Sequence, residues 1–258
     1  MTNGTGSAAR AGKLAGRVAL VTGASRRIGR ATVLGLAEAG ADVVVHARSS
    51  RDEIEAVAEE ARARGARALT VMGDVAKEGD VEAIFKTVEA EFGRLDILVN
   101  NAAIRGQAPF LEMSYAQWRA TLGVILDGAF LCSRAALGLM VPNCYGTIVN
   151  LGGMTAHTGA INRAQVSAAK AGLVGLTKAL AMEFADRGIT VNCVAPGKIG
   201  GPRAASAGVA PKVPGEKIPL GRDGTIEEAA FMILTLCMPE ARFMTGQTVH
   251  VSGGLYLP

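Results

Sequence analysis

The feature that most constrains this chain is a change of pattern near its start. An apolar, β-branched run at 18–22 breaks at Gly23 and passes through Ala24-Ser25-Arg26-Arg27 into Ile28, Gly29 and a helical rhythm. A strand that turns tightly into a helix leaves the first backbone N–H groups of that helix without intrahelical partners. Such a terminus is a ready site for phosphate. Gly23 permits the turn and Gly29 permits helix and strand to approach closely. The pattern predicts a dinucleotide pyrophosphate at this loop, contacted by Gly23, Ser25, Arg26, Arg27, Ile28 and Gly29.

The same alternation continues along the chain. Strands are expected at 18–22, 42–47, 67–72, 97–100, 146–151, 190–195 and 248–252. Helical spacing fills 28–39, 51–64, 81–92, 115–139, 164–187 and 225–238, with Gly40, Gly65, Gly93 and Gly188 placed as C-terminal stops. Short strands alternating with longer helices predict an α/β fold: a Rossmann-type, three-layer α/β/α architecture around a seven-stranded, mainly parallel sheet. Segment 197–219 departs from the rhythm, is rich in Gly, Pro and Ala, and follows a strand where such folds place ligands, so it is the expected substrate lid.

Composition removes several classes of function. The net charge is +4, but basic and acidic residues are interspersed and only 4% of the chain is aromatic, which argues against a nucleic-acid partner. No apolar run approaches the ~18 residues of a membrane span, so no membrane partner is expected. Cys132, Cys144, Cys193 and Cys237 lie far apart with no CxxC pair; they read as reduced thiols, and no metal site is expected. Residues 1–12 read as a flexible polar leader and 13–258 as a single domain, which together with the thiols points to the cytoplasm.

Several ordered motifs resemble the short-chain dehydrogenase/reductase family, from about Lys13 to the C-terminus. They are TGASRRIG at 22–29, Asp74-Val75, Asn100-Asn101-Ala102-Ala103, the helical run from Ala168 to Glu183, and Val191 to Gly197. The resemblance implies a nicotinamide cofactor held also by Asp74, Val75, Asn101, Ala102, Ala103, Lys170, Pro196, Gly197 and Ile199. It implies a homotetramer as well, built partly through the two long helices and the C-terminal strand. Arg27 stands where the family has its middle glycine; it either flanks the phosphates or is an exposed arginine without a ligand role.

The end of the second strand distinguishes NAD from NADP. NAD-preferring sites offer the ribose 2′-OH a carboxylate there. This chain offers Arg48 and Ser49, with Arg26 on the neighbouring loop, and these suit a 2′-phosphate. NADP(H) is the expected cofactor.

The family's catalytic positions are nearly empty. Lys170 aligns with the family lysine, which places Val166 at the tyrosine position, Gly153 at the serine position and Ile125 at the supporting asparagine. Ser167, three residues from Lys170, faces another side of the helix, and Tyr145 precedes its strand. Ordinary ketone reduction should then be poor, because a positioned general acid typically contributes ~10²–10⁴ in rate. Two readings follow. One is an oxidoreductase reducing an imine, an activated alkene or a stabilised carbonyl, with His157 as a substitute proton donor. The other is a catalytically impaired NADP-binding homologue that supports an active relative in a hetero-oligomer or senses the cofactor.

Overall fold

Alternation within the strands is what divides the molecule into layers. In β1 (Val18–Val21), Ala19 and Val21 face one apolar cluster while Val18 and Leu20 face another. The same split recurs in β2 (Asp42–Ala47), β4 (Ile97–Asn100) and β5 (Gly146–Leu151). A sheet buried on both faces needs helices on both, and the chain supplies them. The computed structural model describes residues 12–201 and 217–258. Residues 1–11 of the expected leader and 202–216 of the expected lid lie outside them.

The remaining strands are β3 (Ala68–Met72), β6 (Ile189–Pro196) and β7 (Thr248–Val251). All seven pair in parallel in the order β3-β2-β1-β4-β5-β6-β7. The sheet is wholly rather than mainly parallel. One face carries α1 (Arg27–Glu38), α2 (Arg51–Ala63) and α8 (Ile226–Cys237); the other carries α3 (Glu78–Phe92), α5 (Gly128–Met140) and α7 (Ala164–Phe184). Gly40, Gly65, Gly93 and Gly188 all have positive φ, as helix stops require.

The differences from expectation have local causes. Helix α3 starts three residues early, because Glu78 and Asp80 favour its positive N-terminal end. The single helix expected at 115–139 is α4 (Tyr115–Leu122) joined to α5 through a π-helical turn, Gly123–Asp127, with Ile125 at its centre. Residues Ala185–Arg187 form a 3₁₀ turn instead of extending α7, and a short helix, α6 (Thr155–Thr158), was not anticipated. The run Tyr115–Asn143 is long and apolar enough to cross a membrane by length and composition, although no uninterrupted apolar run signals it. Here its inner face packs on α3, α7, β4 and β5.

Far from the glycine loop, at the N-terminal ends of the strands, Asp96 accepts hydrogen bonds from Arg17, Arg94 and the Val18 N–H. Tyr145 lies here between the guanidinium groups of Arg17 and Arg242, 3.6 and 4.4 Å from its ring centre. This tyrosine is thus part of the structural end of the sheet. Ligand chemistry in such folds belongs at the other end, where the connections after β1 and β4 diverge.

Candidate dinucleotide cleft and active site

At that end, Thr22 and Asn101 tie the two loops together. The Thr22 hydroxyl donates to the Val99 carbonyl and accepts from the Asn101 and Ala102 N–H groups, both at 3.0 Å. The Asn101 side-chain amide donates to the carbonyls of Thr22 and Gly23, each at 2.8 Å. A Cβ on Gly29 would stand 2.6 Å from both the Asn101 Nδ2 and the Gly23 oxygen, so only a hydrogen fits there. No side chain caps the N-terminus of α1, and its N–H groups remain available to an anion.

His46 is a member of this assembly that sequence reasoning did not single out. Its Nδ1 accepts the Gly23 N–H at 3.2 Å, which places the proton on Nε2, and Nε2 donates to the Gly73 carbonyl at 3.0 Å. The ring therefore spans three strand ends in its neutral form. Burial lowers its pKa, against smaller opposing effects of the Gly73 hydrogen bond and the Asp74 charge. The unfolded chain then binds more protons below the ordinary histidine pKa of about 6.5, so stability falls as pH drops through and below that value. His157 and His250 shift in the same direction. Replacing His46 with Ala should cost roughly 1 kcal/mol by removing the acceptor of the half-buried Gly23 N–H. Thermal melts between pH 5 and 8 should also show a shallower acid slope than wild type; an unchanged slope and midpoint would count against this role.

Arg27 adopts the backbone conformation that a glycine would supply. Its φ of +50° is left-handed and costs an L-residue about 1–2 kcal/mol. Its guanidinium reaches across the cleft mouth and donates to the carbonyls of Ile199 and Gly200, at 3.2 and 3.0 Å. The arginine therefore straps the glycine loop to the segment after β6. Arg48 is 61% exposed at its side chain and lies 3.9 Å from the Asp74 carboxylate, its cation turned over the cleft beside Ser49.

All the residues expected to contact cofactor between Gly23 and Ala103 line one cleft of about 470 Å³. Those from the later motifs, Lys170, Pro196, Gly197 and Ile199, line an adjoining cavity of about 150 Å³, with Arg27, Ile28 and Arg105 shared between the two. The Gly23–Gly29 cradle and the uncapped helix end fit a pyrophosphate, and the arginines fit further phosphate.

In the smaller cavity Lys170 is 6% exposed and donates a hydrogen bond to the Leu151 carbonyl. Burial, with the nearby charge of Arg105, pushes its ammonium down to about 7, while Cys193 acts weakly the other way. Gly153 and Val166 line the same wall. Ile125 does not; it is buried with Ala129, Ala169 and Leu173 between the π turn and α7.

His157 does not line this cavity among the described residues either. Its ring packs against His250 and Tyr256, with centroids 4.6 and 5.0 Å away, and its buried Nε2 has no hydrogen-bond partner there. Thr155, two residues earlier, is the member of that helix facing the cavity. The expected substitute donor is thus turned aside by aromatic packing.

A parallel sheet whose order reverses between β1 and β4, with a glycine loop and uncapped helix at that point, defines a Rossmann-type, dinucleotide-binding class of protein. This chain belongs to the short-chain dehydrogenase/reductase family: a family model described as enoyl-(acyl carrier protein) reductase matches residues 23–256. It is 42% identical over 245 residues to a 3-oxoacyl-[acyl-carrier-protein] reductase of Synechocystis, covering 95% of this chain and 98% of that one. It is 40% identical to the reductase FabG of Staphylococcus aureus, over 93% of this chain and 98% of the other. Among solved structures, the acetoin dehydrogenase YohF of Salmonella typhimurium matches at a TM-score of 0.84 and 34% identity, covering 93% of this chain and 95% of that one.

Proposed function

We propose that this protein is an NADP(H)-dependent oxidoreductase with an atypical catalytic site, acting on a small imine, activated alkene or stabilised carbonyl. The observation that carries the reading is the inner cavity wall, where a buried lysine remains beside Gly153 and Val166, the positions at which the family's serine and tyrosine are expected. Reduced nicotinamide supplies hydride when bound. The chain's part is to orient and to stabilise charge. Lys170, fixed by the Leu151 carbonyl, presents an ammonium to the cavity below a pH of about 7, and Gly153 and Val166 offer no proton. A substrate whose reduction yields a delocalised anion, or one that arrives already protonated, suits such a wall, because a fixed cation favours developing negative charge without a positioned acid.

The preference for the 2′-phosphate rests on Arg48, Ser49 and Arg26, with no carboxylate at the end of β2. Arg48→Asp should weaken NADPH binding by about tenfold or more, the loss of ~1.4 kcal/mol of charge-assisted bonding, and leave NADH binding as tight or tighter, because it places a carboxylate where the 2′-OH would lie. Titrating both cofactors by fluorescence measures this; tighter NADH than NADPH binding by wild type would overturn the assignment. Exposed apolar side chains on the two long helices, Phe130 and Met182 among them, support a homotetramer or a hetero-oligomer with an active relative.

The deciding experiment is a screen of NADPH oxidation with ketones, imines and activated alkenes. Turnover of the latter two with little ketone reduction is the expected result. No turnover, with stoichiometric co-purification of a second reductase, would replace this reading with that of a supporting subunit.

A further inference from the structure

The cofactor cleft and the cavity beside Lys170 share Arg27, and this side chain reaches from one loop to the other. Its Nη2 carries two hydrogens and donates to two successive carbonyls, those of Ile199 and Gly200, at 3.2 and 3.0 Å. The guanidinium also packs over Gly201, where a Cβ would stand 3.5 Å from Nη1. Backbone bonds hold the same segment independently: the Gly200 N–H donates to the Gly224 carbonyl at 2.8 Å, and the Gly224 N–H to the Lys198 carbonyl at 2.9 Å. The segment after β6 is thus pinned to the residues preceding α8 and, through Arg27, to the glycine loop.

Both acceptors of these bonds are neutral carbonyls of the protein itself. The bridge therefore needs no cofactor to form, and it closes equally over an empty or an occupied cleft. A dinucleotide held at its pyrophosphate by the glycine loop and touching Pro196 to Ile199 spans the boundary that the bridge crosses. Such a ligand enters or leaves while the bridge is open, and motions of this kind set the exchange rates of many enzymes. The glycine that would suit a φ of +50° could supply the backbone but not the bridge.

We propose that Arg27 is a latch on the dinucleotide: its two hydrogen bonds to Ile199 and Gly200 break for the cofactor to enter or leave, so the side chain sets exchange rates and not affinity. The latch rests on the dinucleotide reading of the cleft and not on any reaction. A phosphate contact would act differently. Its charge-assisted bond exists only in the complex, so losing it speeds release, leaves entry no faster and weakens binding. A latch slows entry and release by the same factor, and losing it leaves their ratio almost unchanged.

The test is stopped-flow fluorescence of NADPH on the full chain, with wild type beside Arg27→Gly and Arg27→Met. Mixing protein with NADPH reads entry, and chasing the loaded protein with excess NADP⁺ reads release. Both variants should speed each rate by about tenfold or more, the scale of two hydrogen bonds from a charged donor, and keep Kd within about threefold of wild type. Arg27→Met retains a long stem without donors, while Arg27→Gly removes the left-handed strain and should fold whatever methionine does. Circular dichroism checks both. Unchanged rates in a folded variant would overturn the latch. So would a Kd weakened by about tenfold with entry no faster, which would make Arg27 a phosphate contact instead. Wild type that binds neither NADPH nor NADH would overturn the cofactor assignment and the latch with it. Because exchange is read without turnover, both rates rising together would establish the latch even in a protein that reduces no substrate.

Discussion

Gly29→Ala should abolish measurable dinucleotide binding at micromolar protein and lower the melting temperature by several degrees. A methyl at this position would lie 2.6 Å from the Asn101 Nδ2, 2.6 Å from the Gly23 oxygen and 2.9 Å from the Ala24 Cα. Two of these are backbone atoms that no rotamer change can move. The third is the amide that donates to the carbonyls of Thr22 and Gly23, so relieving the clash means breaking the tie between the loops after β1 and β4. Overpacking of this kind costs roughly 1–3 kcal/mol, or about 2–4 °C per kcal/mol in a chain of this size. The loss of affinity should be larger, because the loop that moves is the one presenting N–H groups to the pyrophosphate. Calorimetric titration with NADPH beside a thermal melt checks both. A folded variant that binds as tightly as wild type would show that the close approach of helix and loop is not what makes the cradle.

The contrast between Gly29 and His46 shows which parts of the site were legible in the sequence. Gly29 was readable because local geometry demands it: a strand entering a helix within a few residues needs a small residue wherever backbones touch. The sheet was readable for a similar reason, since two-faced burial leaves near-continuous β-branched runs, and all seven strands lie within a residue or so of expectation. His46 stood in plain view at the end of β2, but its partners are Gly23 and Gly73, brought together only by strand order. Arg105 and Arg163 also line one cavity although they lie far apart in the sequence. His157 shows the opposite case, a residue that packs away from the cavity among the described residues. Its sequence position placed it in the expected substrate loop, and its aromatic contacts with His250 and Tyr256 come from the far end of the chain. The strap formed by Arg27 was only half legible: the sequence implied an unusual backbone, which the φ of +50° bears out, but not the destination of the side chain.

The second large effect concerns the proposed loss of the proton donor. Gly153→Ser with Val166→Tyr should raise NADPH-dependent ketone reduction by about 10²–10⁴, the usual contribution of a positioned general acid. The geometry favours the pair. A Cβ on Gly153 has open space, and Val166 lies on the same cavity wall as Lys170, four residues and about one helical turn away on α7. A phenol placed there would meet a cation that lowers its pKa and steadies its anion. Ile125→Asn is a poor addition, because Ile125 is 2% exposed among Ala129, Ala169 and Leu173, and an amide buried there without partners costs roughly 1–3 kcal/mol. The double variant should therefore outperform the triple in both stability and rate. Single-turnover kinetics with 4-oxopentanoate and its methyl ester, run on wild type, double and triple, separates the contributions. If the double variant folds and binds NADPH yet reduces neither ketone faster than wild type, the register that assigns Gly153 and Val166 to the acid positions is wrong.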